Sequence, residues 1–175
     1  VPGQLDLFQA WLKDSDGLPL PSPSAPRVCP SGDPAAGLMM VTDMPTAEDC
    51  AAGTLISGEA GALFDRMLAA IGRDRGSIYL ASLACFRSPD GRLTDAAATQ
   101  CATLARHHIG LAAPKAVLLM GDAASKALTG LPMMQARGRW HEISTHAGQI
   151  PAVVTFPPSY LLDRPSAKAA AWADL

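Results

Sequence analysis

Several signatures of particular protein classes are missing from this chain. There is no CxxC pair: the four cysteines, Cys29, Cys50, Cys85 and Cys101, stand apart. Structural zinc sites and dithiol redox centres need closely spaced cysteines, so neither is expected. The scatter fits reduced thiols rather than a disulfide framework. No apolar run approaches the roughly 20 residues of a membrane-spanning helix. No stretch reads as a secretion signal, so the expected location is the cytoplasm. An excess of positive charge is also missing, the formal net charge being −2. Any phosphate-binding surface must therefore be local. Its candidates gather in the last quarter, at Arg137, Arg139, His141, Arg164 and Lys168. What the chain does have is apolar content, 49% hydrophobic against 17% charged over 175 residues. That suffices for one domain with a full core and is too apolar for a disordered chain.

The apolar residues fall into a repeating beat. Gln4–Lys13 has the spacing of a short amphipathic helix, with Leu5, Phe8, Trp11 and Leu12 apolar. Residues 14–34 are rich in Pro, Ser, Gly and Asp, as in a linker or a surface arm. Strand-length apolar runs follow at Leu38–Thr42, Ile78–Leu83, Ala116–Met120 and Ala152–Phe156. Helical periods separate them at Ala60–Ile71, Asp95–Leu111 and Asp122–Leu128, and a last one spans Pro165–Leu175. Alternating strands and helices predict a parallel sheet covered on both faces. Sites in such sheets form in loops after the carboxyl ends of strands. Those loops here are Asp43–Gly58, Ala84–Arg92, Gly121–Ala123 and Pro157–Arg164.

The last of these reads VVTFPPSYLLDRP, Val153–Pro165. Two prolines end the strand, because they donate no ladder hydrogen bond and lock φ. The loop expected after them carries Tyr160, Leu161 and Leu162. Two readings stand: these side chains cap a core edge, or they form a wedge aimed at something flat and stacked.

From about Val28 to Leu175 the chain resembles the uracil-DNA glycosylase superfamily, and most the bacterial family 4, the iron–sulfur type. The resemblance rests on GALFDRMLAAIG (61–72), IYLAS and FRSPDGR (78–92), RHHIGLAAPKAVLLMGDAASKALTG (106–130), RGRW (137–140) and TFPPSYLL with the helix after it. It implies a three-layer α/β/α sandwich around a central four-stranded, mainly parallel sheet over residues 28–175. Residues 1–27 then form an N-terminal helix and arm. It also implies a bacterial DNA-repair protein that associates with the nucleoid when bound to DNA, with no membrane partner. Nothing in the sequence demands more than a monomer.

The family's chemistry extrudes a base and hydrolyses its bond to the sugar. Its site positions, carried onto this chain, depart from the pattern. The Gly-Glu-Ala-Pro-Gly stretch reads Thr42-Asp43-Met44-Pro45-Thr46, so Asp43 is the remaining candidate acid. Met44, Pro45, Thr46, Ile56 and Ser82 would form the base pocket. Ile56 stands at the stacking phenylalanine and offers no π face. Ser82 stands at the base-reading asparagine and lacks the paired donor and acceptor of an amide. Pro157 stands at the histidine that stabilises the departing base and can donate nothing. His107, His108 and His141 are the possible substitutes.

The cluster ligands depart as well. The arm has no CxxC, Cys101 matches the fourth ligand, the third falls on Phe86, and Cys85 lies one residue away. A cluster needs four ligands, so no iron–sulfur centre and no other cofactor is expected. The DNA-reading surface is better kept: Ser159, Tyr160 and Leu161 follow the wedge pattern, with Arg137, Arg139, Arg164 and Lys168 as backbone contacts. Finally, QLDLF resembles the peptide by which bacterial repair proteins dock on the sliding clamp. Gln4 would supply hydrogen bonds, and Leu5, Leu7 and Phe8 the apolar contacts. The alternative is a helix whose Leu5 and Phe8 pack on the domain. Together these features predict a divergent superfamily member that binds DNA or damaged bases with little ordinary uracil excision. The alternative is an active glycosylase of altered specificity.

Overall fold

The computed structural model describes residues 1–175. Helix α1 (Leu5–Asp14) opens the chain, and the two-residue strand β1 (Ser31–Gly32) follows the proline-rich arm. Next come β2 (Leu38–Thr42), α2 (Ala47–Ala52), α3 (Gly58–Ala70), β3 (Tyr79–Ser82), α4 (Asp95–Ala112) and β4 (Ala116–Met120). The chain ends through α5 (Asp122–Thr129), α6 (Met133–Ala136), β5 (Trp140–Thr145), β6 (Gly148–Thr155), α7 (Pro158–Asp163) and α8 (Lys168–Asp174).

One sheet holds all six strands in the order β1-β3-β2-β4-β6-β5. The four expected strands are its centre and pair in parallel, with Thr42 opposite both Ser82 and Met120, and Met120 opposite Thr155. Two antiparallel edge strands, absent from the sequence expectation, complete it. β1 is too short to show a pattern. β5 (WHEIST) fully buries only Ile143, so it reads as polar loop until β6 supplies its hydrogen bonds.

Side chains alternate across the central strands and build two cores, as strands buried on both faces must. Met39, Val41, Val117, Leu119, Ala152 and Val154 enter a large cluster with Leu104, Ile109 and Leu128 of α4 and α5. Met40, Leu80, Leu118 and Met120 enter a smaller one with Phe64 and Leu68 of α3. The sheet thus lies between helical layers, the architecture of a three-layer α/β/α sandwich.

Two local outcomes bear on the site. First, α1 is part of the large core: Phe8 is 1% exposed, and Arg27 of the arm donates to the Leu12 and Ser15 carbonyls. Gln9 donates to the Tyr79 hydroxyl, which bonds buried His108. This corrects the docking-peptide reading of QLDLF. Phe8 is spent on the core and Leu5 is half-buried, which leaves Gln4 and Leu7 on the surface. Second, the segment after β6 is a helix rather than a loop. Pro157 is its N-cap and Pro158 its first residue, positions where a missing N–H costs nothing.

Candidate active-site cleft

The segments after the carboxyl ends of β2, β3 and β6 line a cleft of about 870 Å³. Asp43, Met44 and Thr46 come from the loop after β2, and Ile56 and Ser57 from the turn before α3. Pro157, Ser159 and Leu162 come from α7 and its cap. A second hollow of about 1080 Å³, towards α4 and α5, shares Asp43, Met44 and Gly91 with it. Asp43 therefore stands at the junction of the two.

Its carboxylate rests on the first turn of α5 and accepts from the Ala124 N–H at 2.8 Å. Gly121, just before that turn, has φ of +130°, and a Cβ there would come within 2.5 Å of the carboxylate. Burial pushes the Asp43 carboxyl above the usual carboxylate range. Nearby Asp122 adds to this, and N–H bonds from Ala124, Ala123 and Asp122 oppose it. The result is a desolvated acid fixed in one orientation.

The wall opposite is built on Asp49, which the sequence reading passed over. Asp49 is 4% exposed and accepts from Ser57 Oγ (2.6 Å), Ser57 N (2.9 Å) and Thr46 N (3.2 Å). Thr46 Oγ1 accepts in return from the Asp49 N–H, so the pair forms a capping box on α2. The Thr46 side chain is thus committed to the helix start. The signal was legible as Thr-x-x-Asp before a helical run. Those hydrogen bonds hold the Asp49 carboxyl below its usual range against the effect of burial, which raises it.

Beside this box Ile56 adopts φ of +51°, a conformation that costs a β-branched residue energy. Arg75, a second residue passed over, secures it. Its guanidinium donates to the Leu55 and Ile56 carbonyls at 2.7 and 2.5 Å, pairs with Asp65 and lies over the Phe64 ring. Arg87 ties the opposite rim by donating to the Pro45 carbonyl.

The remaining expected site residues scatter. Pro45 is buried beneath the cleft. Ser82 borders a separate cavity of about 20 Å³, and its Oγ is buried without a hydrogen-bond partner. Leu161 is 1% exposed and belongs to the large core, which corrects its reading as a wedge. Tyr160 stacks parallel on Phe156 at 4.7 Å and carries Arg164 over its other face. Arg137 is also corrected from a DNA contact to a structural residue. It pairs with Asp174 through two nitrogens, donates to the Ala170 carbonyl and lies over Phe156. Arg139 lines a different groove with Trp140 and Leu175. Of the wedge pattern, only Ser159 and Leu162 face the cleft.

No histidine lines the cleft. His107 bonds the Pro2 carbonyl, His108 bonds Tyr79 under α1, and His141 bonds the Ala136 carbonyl. The lining carboxylates are Asp43, Glu48, Asp49, Glu59 and Asp163, against Arg87 as the one cation.

Cys85 and Cys101 meet at the 20 Å³ cavity, with Phe8, Leu12 and Leu18 around them. Cys85, not Phe86, is the thiol beside Cys101, and its Sγ–H donates to the Leu12 carbonyl. Burial pushes these thiols up to about 11 and about 12, away from the thiolate form a metal needs. The space holds about one water molecule. Two protonated thiols at a cavity this small do not fit an iron–sulfur cluster.

Comparison with known proteins agrees with this architecture. The family model for the uracil DNA glycosylase superfamily matches residues 29–175. A type-4 uracil-DNA glycosylase of Pyrobaculum aerophilum is 25% identical over 178 aligned residues, covering 98% of this chain and 91% of that protein. The parallel sheet, the cleft at its carboxyl ends and a family match over nearly all of the chain outside α1 and its arm agree: the chain belongs to the uracil-DNA glycosylase superfamily, where it is similar to the type-4 enzymes.

Proposed function

We propose that this protein serves DNA repair by recognising DNA or a damaged base, with little or no ordinary uracil excision. Superfamily membership supports a glycosylase-type role with DNA as partner. One observation supports the finer reading: no histidine lines the cleft, and Pro157, which the resemblance aligns with the family's histidine, stands on its rim. Removing one such donor typically lowers a rate by about 10²–10³. Ile56 lines the cleft without offering a π face, and Ser82 faces a separate cavity, so neither supplies an amide to read a base there. The small Cys85–Cys101 cavity supports a protein without an iron–sulfur centre; purified protein should be colourless, and visible absorbance that chelators bleach would refute this.

A second reading has its own support in Asp43. A desolvated carboxyl at the cleft floor could orient water for N-glycosidic hydrolysis of some other base.

The test uses duplex and single-stranded oligonucleotides carrying uracil, hypoxanthine, xanthine or an abasic site, followed by alkali. We expect binding without strand breaks. Rapid uracil release that Asp43→Ala abolishes overturns the proposal. Release of another base alone selects the second reading.

A further inference from the structure

Glu48, Glu59 and Asp163 rim the cleft and repel a phosphate backbone at its mouth. A strand delivering a base to Asp43 therefore needs a cationic path beside the cleft. Such a path lies on the far side of α7. That helix has two working faces: Ser159, Leu162 and Asp163 line the cleft, and Leu161 floors a separate hollow of about 130 Å³ between α3 and α8.

The hollow has the composition of a nucleotide subsite. Leu63, Met67 and Leu161 make an apolar floor, and Arg66, Lys168 and Trp172 form the rim. Lys168 and Trp172 sit one helical turn apart on α8, so their side chains share a face. Trp172 is 46% exposed, although a large aromatic side chain gains by burial. Neither Arg66 nor Lys168 forms a salt bridge; the protein's three ion pairs lie elsewhere. The volume is close to that of a cavity that accepts one benzene ring, roughly 150 Å³. Two unpaired cations beside an exposed indole and a ring-sized apolar pocket match the chemistry of single-strand recognition: a phosphate between cations and a base on an aromatic face.

We infer that the α3–α8 hollow is a strand-holding subsite for single-stranded DNA. It takes a nucleotide flanking the one presented to the cleft. Arg66 and Lys168 hold the phosphate, and the base stacks on Trp172. α7 is the divider the strand crosses, with Arg164 on Tyr160 as a further cation along the way. This inference rests on the reading of the cleft as a DNA-base site.

The test is fluorescence anisotropy of a labelled oligothymidine single strand with the full chain at low salt, read beside tryptophan quenching. In the double variant Arg66→Glu/Lys168→Glu, affinity should fall at least tenfold. The slope of log K against log salt should shrink by about 1.4, from two lost contacts of roughly 0.7 each on single strands. Trp172→Ala should lose about fivefold or more and Trp172→Phe should recover most of it, since any aromatic face stacks. Circular dichroism melts confirm that the variants fold. Oligothymidine binding with unchanged affinity and slope in the double variant overturns the subsite. If lesion-bearing DNA still binds that variant and loses affinity in Leu162→Ala, the cleft reading survives alone. If the wild-type chain binds no single strand even at low salt, the subsite is overturned as well.

Discussion

Replacing Asp49 with alanine tests the construction of the cleft wall. One buried carboxylate accepts three hydrogen bonds, two from Ser57 and one from the Thr46 N–H. Hydrogen bonds to a charged group contribute about 1.5–3 kcal/mol each where the donors are desolvated. Thr46 is exposed and Ser57 half-buried, so water recovers part of that. The Thr46 Oγ1 cap on the backbone N–H of residue 49 survives the substitution and adds nothing to the loss. The balance is a loss of about 3 kcal/mol, which for a domain of this size lowers Tm by roughly 6–12 °C. Asp49→Asn should lose about half as much, since one oxygen can still serve Ser57. The pH dependence has a definite sign. The folded carboxyl lies below its ordinary value of 3.8, so its contribution is complete above 3.8 and fades as pH falls through the lowered value. Thermal melts by circular dichroism at pH 7, 5 and 3 measure this. The wild type–variant gap should be equal at the first two and narrower at the third. A gap under about 0.5 kcal/mol at pH 7, the size of an ordinary surface substitution, would refute the account.

Other expectations separate packing from recognition. Leu161→Ala should cost about 2–5 kcal/mol of stability, whereas Leu162→Ala, at a half-buried position, should cost clearly less and weaken lesion binding. Equal melts for the two would contradict the burial of Leu161. Gly121→Ala meets both its φ of +130° and the Asp43 carboxylate, so it should destabilise the fold and weaken base binding together. A variant with wild-type stability and binding would dissociate Gly121 from Asp43. His108 is held neutral by burial, with its pKa pushed down to about 4. The unfolded chain therefore binds the extra proton between about 6.5 and 4, and stability falls with pH across that window. A His108→Phe protein whose melts decline equally over that window would place the acid sensitivity elsewhere.

Much of the scaffold was legible because its signals are local. Four apolar runs separated by helical periods identify parallel strands, since both faces of each must be buried whatever the partner. The positions of Asp43, Thr46, Ile56 and Pro157 at the cleft followed from their places after strands and before helices. The edge strand at Trp140–Thr145 was less legible, because only hydrogen bonds from β6 distinguish it from a polar loop.

The roles of individual side chains within the site depended on distance rather than on pattern. Arg137, Leu161 and Phe8 each sit in a stretch that matches a binding motif, yet each is consumed by packing or by an ion pair. Arg75 and Asp49 match no binding motif, yet they hold the strained wall at Ile56. Sequence alone determined the alternation of elements and the carboxyl-end location of the cleft, because residue type and chain order suffice for these. Only the tertiary structure decided which cations remain free and which apolar side chains face outward. A salt bridge such as Arg137–Asp174 joins residues 37 positions apart, and closure over such a span is a property of the packed chain, not of any local stretch.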